Sequence, residues 1–433
     1  MSALCSRRAA LSPWSAALLV VAMLLALGCA GHGRLELVAG DPSGEHLAGL
    51  VDSEPARRLL VDLLAQRSPR PHLAALAPGL LSTDLVSHLS SSPNPERRRL
   101  PDRVQLRELA QHVSVDFAAL AFAGVLGNDE TSRAVQAVFD QALRDGADCS
   151  EEILRRAEGF PYTVLFAPAW LYRSHPEVGA DFARQRRLLE RLGIPHQLVP
   201  TPESGSVENN AAVVAAAVRD AGREGRPLIL VSTSKSGAEV ALALSRLLTP
   251  EESAGVAAWL NAGGALGGSP LADIALRPPA SWLTRTVLWF TGWNLAGLTS
   301  ITTGPSRERL DGARLPDSIA VVNLVAVPVS GTVGRRLWGS YNIMRRHGPN
   351  DGVVLLADAV WPGGANLVAL GSDHLLTAMQ DDAPGLALLR ALDAAARHHR
   401  APSLSASVAA TLQRLGPSDV AARVDSACRR PGP

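Results

Sequence analysis

The stretch Pro227-Leu228-Ile229-Leu230-Val231-Ser232-Thr233-Ser234-Lys235-Ser236-Gly237-Ala238 decides how this chain is read. Residues 227–231 form an unbroken apolar run, the pattern of a short strand buried on both faces. Residues 238–248 read as a helix that follows at once, so strand passes into helix with almost no loop. A serine on such a turn is held strained and exposed at the end of a sheet, and its neighbours two positions away must be small. Ser232 and Ser236 occupy those places around Ser234. Free amides at the start of the new helix favour a developing negative charge there. Two other readings stand beside this one. A serine here can simply cap the helix, or Ser232-Thr233-Ser234-Lys235 can be an S-x-x-K pair in which the amine activates Ser232. The S-x-x-K motif opens on a helix, and the strand in front of it favours the turn.

Outward from that turn, strands alternate with helices. Residues 163–167, 197–199, 256–260, 318–327 and 366–370 read as further strands, and residues 182–192, 209–220 and about 333–346 as helices. This alternation from residue 159 predicts an α/β protein with a mostly parallel sheet covered on both faces.

Two later segments supply the partners a serine nucleophile needs. Asn350-Asp351-Gly352-Val353-Val354 follows one strand and its helix, and Gly371-Ser372-Asp373-His374 follows the last strand. Serine, then acid, then histidine, each near the C-terminal end of a strand, resembles the alpha/beta-hydrolase superfamily over residues 159 to about 380. That resemblance implies a serine esterase or lipase-like enzyme needing no cofactor. Ser234 attacks an acyl carbonyl, His374 takes and returns the proton, and Asp351 holds the imidazolium. Asp358 stays open as a rival acid, and Asp373 is poorly placed because adjacent side chains rarely face one another. The oxyanion hole implied is the amide of Lys235 with that of Ala169 or Trp170, since Pro168 between Ala167 and Ala169 has no N–H. The superfamily commonly has His-Gly in that loop, and this chain does not.

Residues 267–316 form an insertion carrying Trp282, Leu283, Val287, Leu288, Trp289, Phe290, Trp293 and Leu295. In the superfamily such pieces cover the nucleophile, and an apolar one suits a bulky or lipid-like acyl group. A buried cap helix packing the core accounts for the same pattern. The glycine pairs at 263–264 and 267–268 lack the helix start and Lys-Ser/Thr of a phosphate loop.

Residues 30–158 carry apolar residues at helical spacing, as in 117–122 and at Val135, Val138, Phe139 and Leu143, and form a mainly helical N-terminal region. The hydrolase domain is then 159–400, with a tail at 401–433. Residues 1–29 read as a signal peptide: Arg7 and Arg8 precede an apolar run over 14–27. Leu25-Ala26-Leu27-Gly28-Cys29 resembles the lipobox of bacterial lipoproteins, which implies acylation of Cys29 and anchoring at the cell envelope; an ordinary signal for a secreted or periplasmic protein is the alternative. In an oxidising compartment Cys149 and Cys428 can pair. Forty-two basic against 41 acidic residues leave a net charge of +1, which gives no field to recruit nucleic acid. Lys235 is the single lysine, and beside the turn it is expected to be solvated. No Cys/His spacing fits a metal. The partners expected are an acyl substrate and a membrane, and the remaining alternative is a hydrolase fold kept as a binding module.

Overall fold

Side-chain alternation along apolar strands builds a sheet with two buried faces. The computed structural model describes residues 47, 49–65, 100–155 and 160–400. In it β1 (Thr163–Ala167), β2 (His196–Leu198), β3 (Leu228–Thr233), β4 (Val256–Ala262), β5 (Ala320–Val327) and β6 (Ala365–Leu370) pair in parallel, in the order β2-β1-β3-β4-β5-β6. Val164, Phe166, Ile229 and Val231 enter one core, while Leu165, Ala167, Leu228 and Leu230 enter the other. That is the period-2 alternation of a pleated strand with both faces covered.

The first core is closed by α4 (Glu130–Arg155), α5 (Ala183–Leu192) and α14 (Asp382–Arg400), through Val135, Phe139, Leu188, Leu386 and Leu392. The second is closed by α6 (Val207–Gly222) and α7 (Lys235–Leu242), through Val214, Val218 and Val240. The apolar run over 117–122 belongs to α3 (Val115–Leu126), which is buried on all sides. Its Phe117 and Leu120 meet Leu59 and Leu60 of α1 (Glu54–Ala65). Its Phe122 and Leu126 meet Val325 and Val327 of β5 together with Leu106 of α2 (Arg103–His112). The helices before β1 therefore lie directly on the sheet, toward its β5–β6 end.

Three asparagines cross the sheet at one level. Asn261, Asn323 and Asn366 are register partners on β4, β5 and β6. Asn261 Nδ2 donates to Asn323 Oδ1 at 3.0 Å, and Asn323 Nδ2 donates to Asn366 Oδ1 at 3.0 Å. Each buried amide left unpaired would cost about 1–3 kcal/mol, and this ladder offsets that cost while pinning neighbours. Asn261 Nδ2 also reaches Ala359 O, Asn323 Oδ1 accepts from the Trp361 amide, and Asn366 Nδ2 reaches Ser132 Oγ of α4.

Boundaries differ from the sequence expectations where tertiary contacts compete. The helix expected at 238–248 starts at Lys235, directly after Ser234, and changes to a π-turn over Ala243–Leu247. The one expected from about 333 starts only at Trp338, as α13 (Trp338–Met344). Before it, the Gly334 amide is drawn to the Asp373 carboxylate at 2.9 Å. A parallel sheet in this order, layered by helices and carrying a serine at the turn from β3 to α7, is the alpha/beta-hydrolase fold.

Candidate active site

Ser234 has φ 53° and ψ −126°, a backbone conformation that side chains strain against. The surroundings hold it there. Its amide donates to Ala262 O at 3.3 Å, and its carbonyl accepts from Gly237 N at 3.0 Å and Ala265 N at 2.8 Å. Ser236 clamps the turn to the neighbouring strand: its Oγ donates to Ala167 O at 2.6 Å and accepts from the Thr233 amide at 2.9 Å. The smallness demanded at 237 comes from Gly264, whose Cα would stand 2.6 Å from a Cβ at that position.

The Ser232/Lys235 alternative does not form. Ser232 is fully buried on β3, where its Oγ donates to Leu260 O at 3.3 Å and accepts from Trp259 Nε1 at 2.8 Å. The Lys235 ammonium turns away from it to pair with Glu239, one turn along α7. The expectation of a solvated lysine is also overturned, since Lys235 is 2% exposed and Glu239 0%. Asn210 of α6 donates a second hydrogen bond to Glu239 at 2.8 Å. Burial holds the Glu239 carboxyl above the ordinary carboxylate range against the opposing pull of Lys235. Removing one partner of a buried ion pair costs about 3–5 kcal/mol. Lys235→Met is therefore expected to lower unfolding free energy in urea by roughly 3 kcal/mol, with much of the loss returned by Lys235→Met/Glu239→Leu. A single variant as stable as the native chain would show that the pair contributes nothing.

Asp351 and His374 meet. Asp351 Oδ2 lies 2.7 Å from His374 Nδ1, and the His374 amide donates to Asp351 O at 2.9 Å. Asp351 Oδ1 accepts from the amides of Val353 (2.9 Å) and Val354 (2.7 Å), so the carboxylate is fixed on both oxygens. His374 Nε2 is buried and has no hydrogen-bond partner among the described residues. Burial alone would push the His374 imidazole down, but the Asp351 charge and hydrogen bond, with the Asp373 charge, outweigh it and raise the pKa. Gly263 brings this pair to the serine turn. It follows Ala262, which holds the Ser234 amide, and a Cβ on it would stand 3.6 Å from His374 Nδ1 and 3.7 Å from Asp351 Oδ2. Its φ is +55°, a second reason for glycine.

The rival acids are engaged elsewhere. Asp358 binds Arg307 at 2.8 Å, with Arg103 at 3.7 Å. Asp373 accepts from the amides of Gly334 and Leu375. Of the two loop amides expected to face an oxyanion, that of Ala169 is taken, donating to Ala180 O at 3.2 Å. The Lys235 amide, first in its helix, has no carbonyl of that helix to reach. Trp170 is half-buried, and its ring lies 6.1 Å from that of Trp293 in the insertion. The insertion contains α9 (Pro270–Ala275), α10 (Ala280–Thr291), α11 (Leu295–Ser300) and α12 (Thr303–Leu310). It is fastened beside the site by Ser300 Oγ, which accepts from the Val207 amide, and by Ser269 Oγ, which donates to Val353 O.

Cys29 and Cys428 lie outside the described residues; Cys149 is disulfide-bonded. Among the described residues no group of three His, Cys, Asp or Glu side chains could hold a metal, and no helix is long and apolar enough to cross a membrane.

No protein-family model matches the chain, and no curated protein does. Among solved structures it is similar to the metagenomic carboxyl esterase MGS0156, at 22% identity over 54% of this chain and 76% of that one, with a TM-score of 0.43. It is also similar to the mature form of Bacillus licheniformis lipase BlEst2, at 23% identity over 50% of this chain and 86% of that one, with a TM-score of 0.41. Phospholipase PlaB from Legionella pneumophila is 13% identical over 55% of this chain and 61% of its own, with a TM-score of 0.38.

Proposed function

We propose that the protein is a serine hydrolase that cleaves a carboxylic ester or a lipid-like acyl substrate through an acyl-Ser234 intermediate. The observation that carries this reading is the state of His374. Its Nδ1 is occupied by Asp351, its Nε2 is buried without a partner among the described residues, and the pair lies against Gly263, the residue after Ala262, whose carbonyl holds the Ser234 amide.

Each residue then has a task. Ser234 Oγ adds to the acyl carbon while its proton passes to His374 Nε2. The oxyanion faces the amides of Lys235 and Trp170, the donor left in that loop once Ala169 is bonded to Ala180. When the tetrahedral species collapses, the bond to the alcohol oxygen breaks and Nε2 returns its proton to that oxygen. Water then takes the place of the alcohol, frees the acid and restores Ser234. Asp351 fixes the tautomer and stabilises the imidazolium in both halves. The protein is read as exported and anchored at a bacterial envelope by an acylated Cys29. A disulfide at Cys149 fits an oxidising compartment.

The test is mass-spectrometric mapping after treatment with a fluorophosphonate. The expected result is a single adduct on Ser234 that is lost in His374→Ala, with an acyl chain on the Cys29 peptide in the same spectra of chain purified from membranes. No adduct would replace the enzyme reading by that of a binding module on a hydrolase fold, and an adduct on Ser232 instead of Ser234 would move the nucleophile to the Ser232/Lys235 pair.

A further inference from the structure

The outer face of the insertion carries aromatic side chains that the hydrolase chemistry leaves unused. On α10, Trp282 is 71% exposed, Trp289 76% and Phe290 62%. Seven residues separate the two tryptophans, close to two helical turns, so both project from one side. Val287 and Leu288 on the opposite side are buried. Large exposed aromatic groups gathered in one place mark an interaction surface.

Charge narrows the partner. From Ile274 to Ser306 the chain contains no acidic residue, and its only charged side chains are Arg277 and Arg285, both exposed. Tryptophan with arginine and no carboxylate suits the headgroup region of an anionic bilayer, where indole rings settle at the apolar boundary and cations meet phosphate. The face also leads inward. Trp289 and Phe290 meet edge to face at 4.7 Å, and beyond Gly292 Trp293 packs against Trp170 at 6.1 Å and His175 at 6.4 Å. Trp170 lies three residues past Ala167, whose carbonyl is bonded to Ser236 of the serine turn. The aromatic side chains therefore run from the outer face of α10 to Trp170, on the loop that follows β1.

We propose that the Trp282, Trp289 and Phe290 face of α10, with Arg277 and Arg285, docks the protein onto an anionic lipid bilayer. It is a second contact with the membrane, separate from residues 1–29, and it orients the site toward the surface.

The experiment uses the full chain with large unilamellar vesicles of phosphatidylglycerol whose acyl chains are brominated, reading tryptophan fluorescence. Quenching from Trp14 or the interior tryptophans is common to native and variant protein, so the comparison isolates α10. In Trp282→Ser/Trp289→Ser/Phe290→Ser, which alters only exposed positions, the quenched amplitude is expected to fall by about half or more. Arg285→Glu is expected to weaken quenching on phosphatidylglycerol but not on phosphatidylcholine. Equal quenching in the native and triple-variant chains overturns the proposal. So does a native dimer that becomes a monomer in the triple variant, because the face would then join two copies. Quenching needs no turnover, so this result stands apart from whether Ser234 takes a fluorophosphonate.

Discussion

Ser234→Ala is expected to lower kcat by about three orders of magnitude or more, with the fold intact. In the proposed reaction the side chain lost is the one that forms the covalent bond, and the two neighbouring serines are engaged elsewhere. Ser232 is buried against Trp259 and Leu260, and Ser236 is committed to Ala167. What remains is the catalysis that bound amides and substrate positioning supply to an attacking water. Stability should respond differently from rate. The conformation of Ser234, at φ 53° and ψ −126°, costs any residue with a Cβ about 1–3 kcal/mol, and alanine bears that strain as serine does. Glycine does not. Ser234→Gly is therefore expected to be as inactive as Ser234→Ala yet more resistant to urea by about 1 kcal/mol or more. Initial rates on a short-chain p-nitrophenyl ester, with urea unfolding of the same preparations, test both halves. A Ser234→Ala rate close to that of the native chain would remove serine from the chemistry.

The fold was legible because strands buried on both faces write themselves as apolar runs. Thr163–Ala167 is found with the expected bounds, and the other strands start or stop within two residues of expectation. The serine turn was legible because its sterics demand small residues at known offsets. What was hidden depends on distant partners. The fate of Lys235 rests on Glu239 four residues on, a spacing the sequence displays, but whether the pair faces water or core depends on α6 and its Asn210. Asn261, Asn323 and Asn366 are 62 and 43 residues apart, and only the strand register reveals that they form one ladder. Gly263 read as part of a glycine-rich loop, and its closeness to Asp351 and His374 follows from a crossing of β4 with two later loops. That the Ala169 amide is already bonded likewise depends on Ala180, eleven residues on, whose carbonyl accepts it.

Asp351→Asn should have the second large effect, a fall in kcat of about 10⁴-fold with little change in KM. The argument is one of tautomer. The amide oxygen of asparagine can keep the hydrogen bonds from Val353 and Val354, which hold Oδ1 now. Its nitrogen then faces His374 Nδ1 as a donor, where the native carboxylate is an acceptor. The imidazole must accept at Nδ1 and carry its proton on Nε2, the atom that has to take the proton of Ser234. The pH profile gives an independent reading. Burial pushes the His374 pKa down, and the native Asp351 and Asp373 charges more than reverse this. A base must be unprotonated, so native kcat/KM is expected to rise with pH through a midpoint above the ordinary imidazole value of about 6.5. In Asp351→Asn the larger of the two raising charges is gone, and the residual activity is expected to persist to lower pH. Asp358→Asn supplies the control: its carboxylate binds Arg307 and Arg103, so its loss should reduce stability while leaving the acid limb in place. A rate collapse in Asp358→Asn, with Asp351→Asn nearly normal, would transfer the role of acid to the other aspartate and leave the 2.7 Å contact of Asp351 with His374 a structural one.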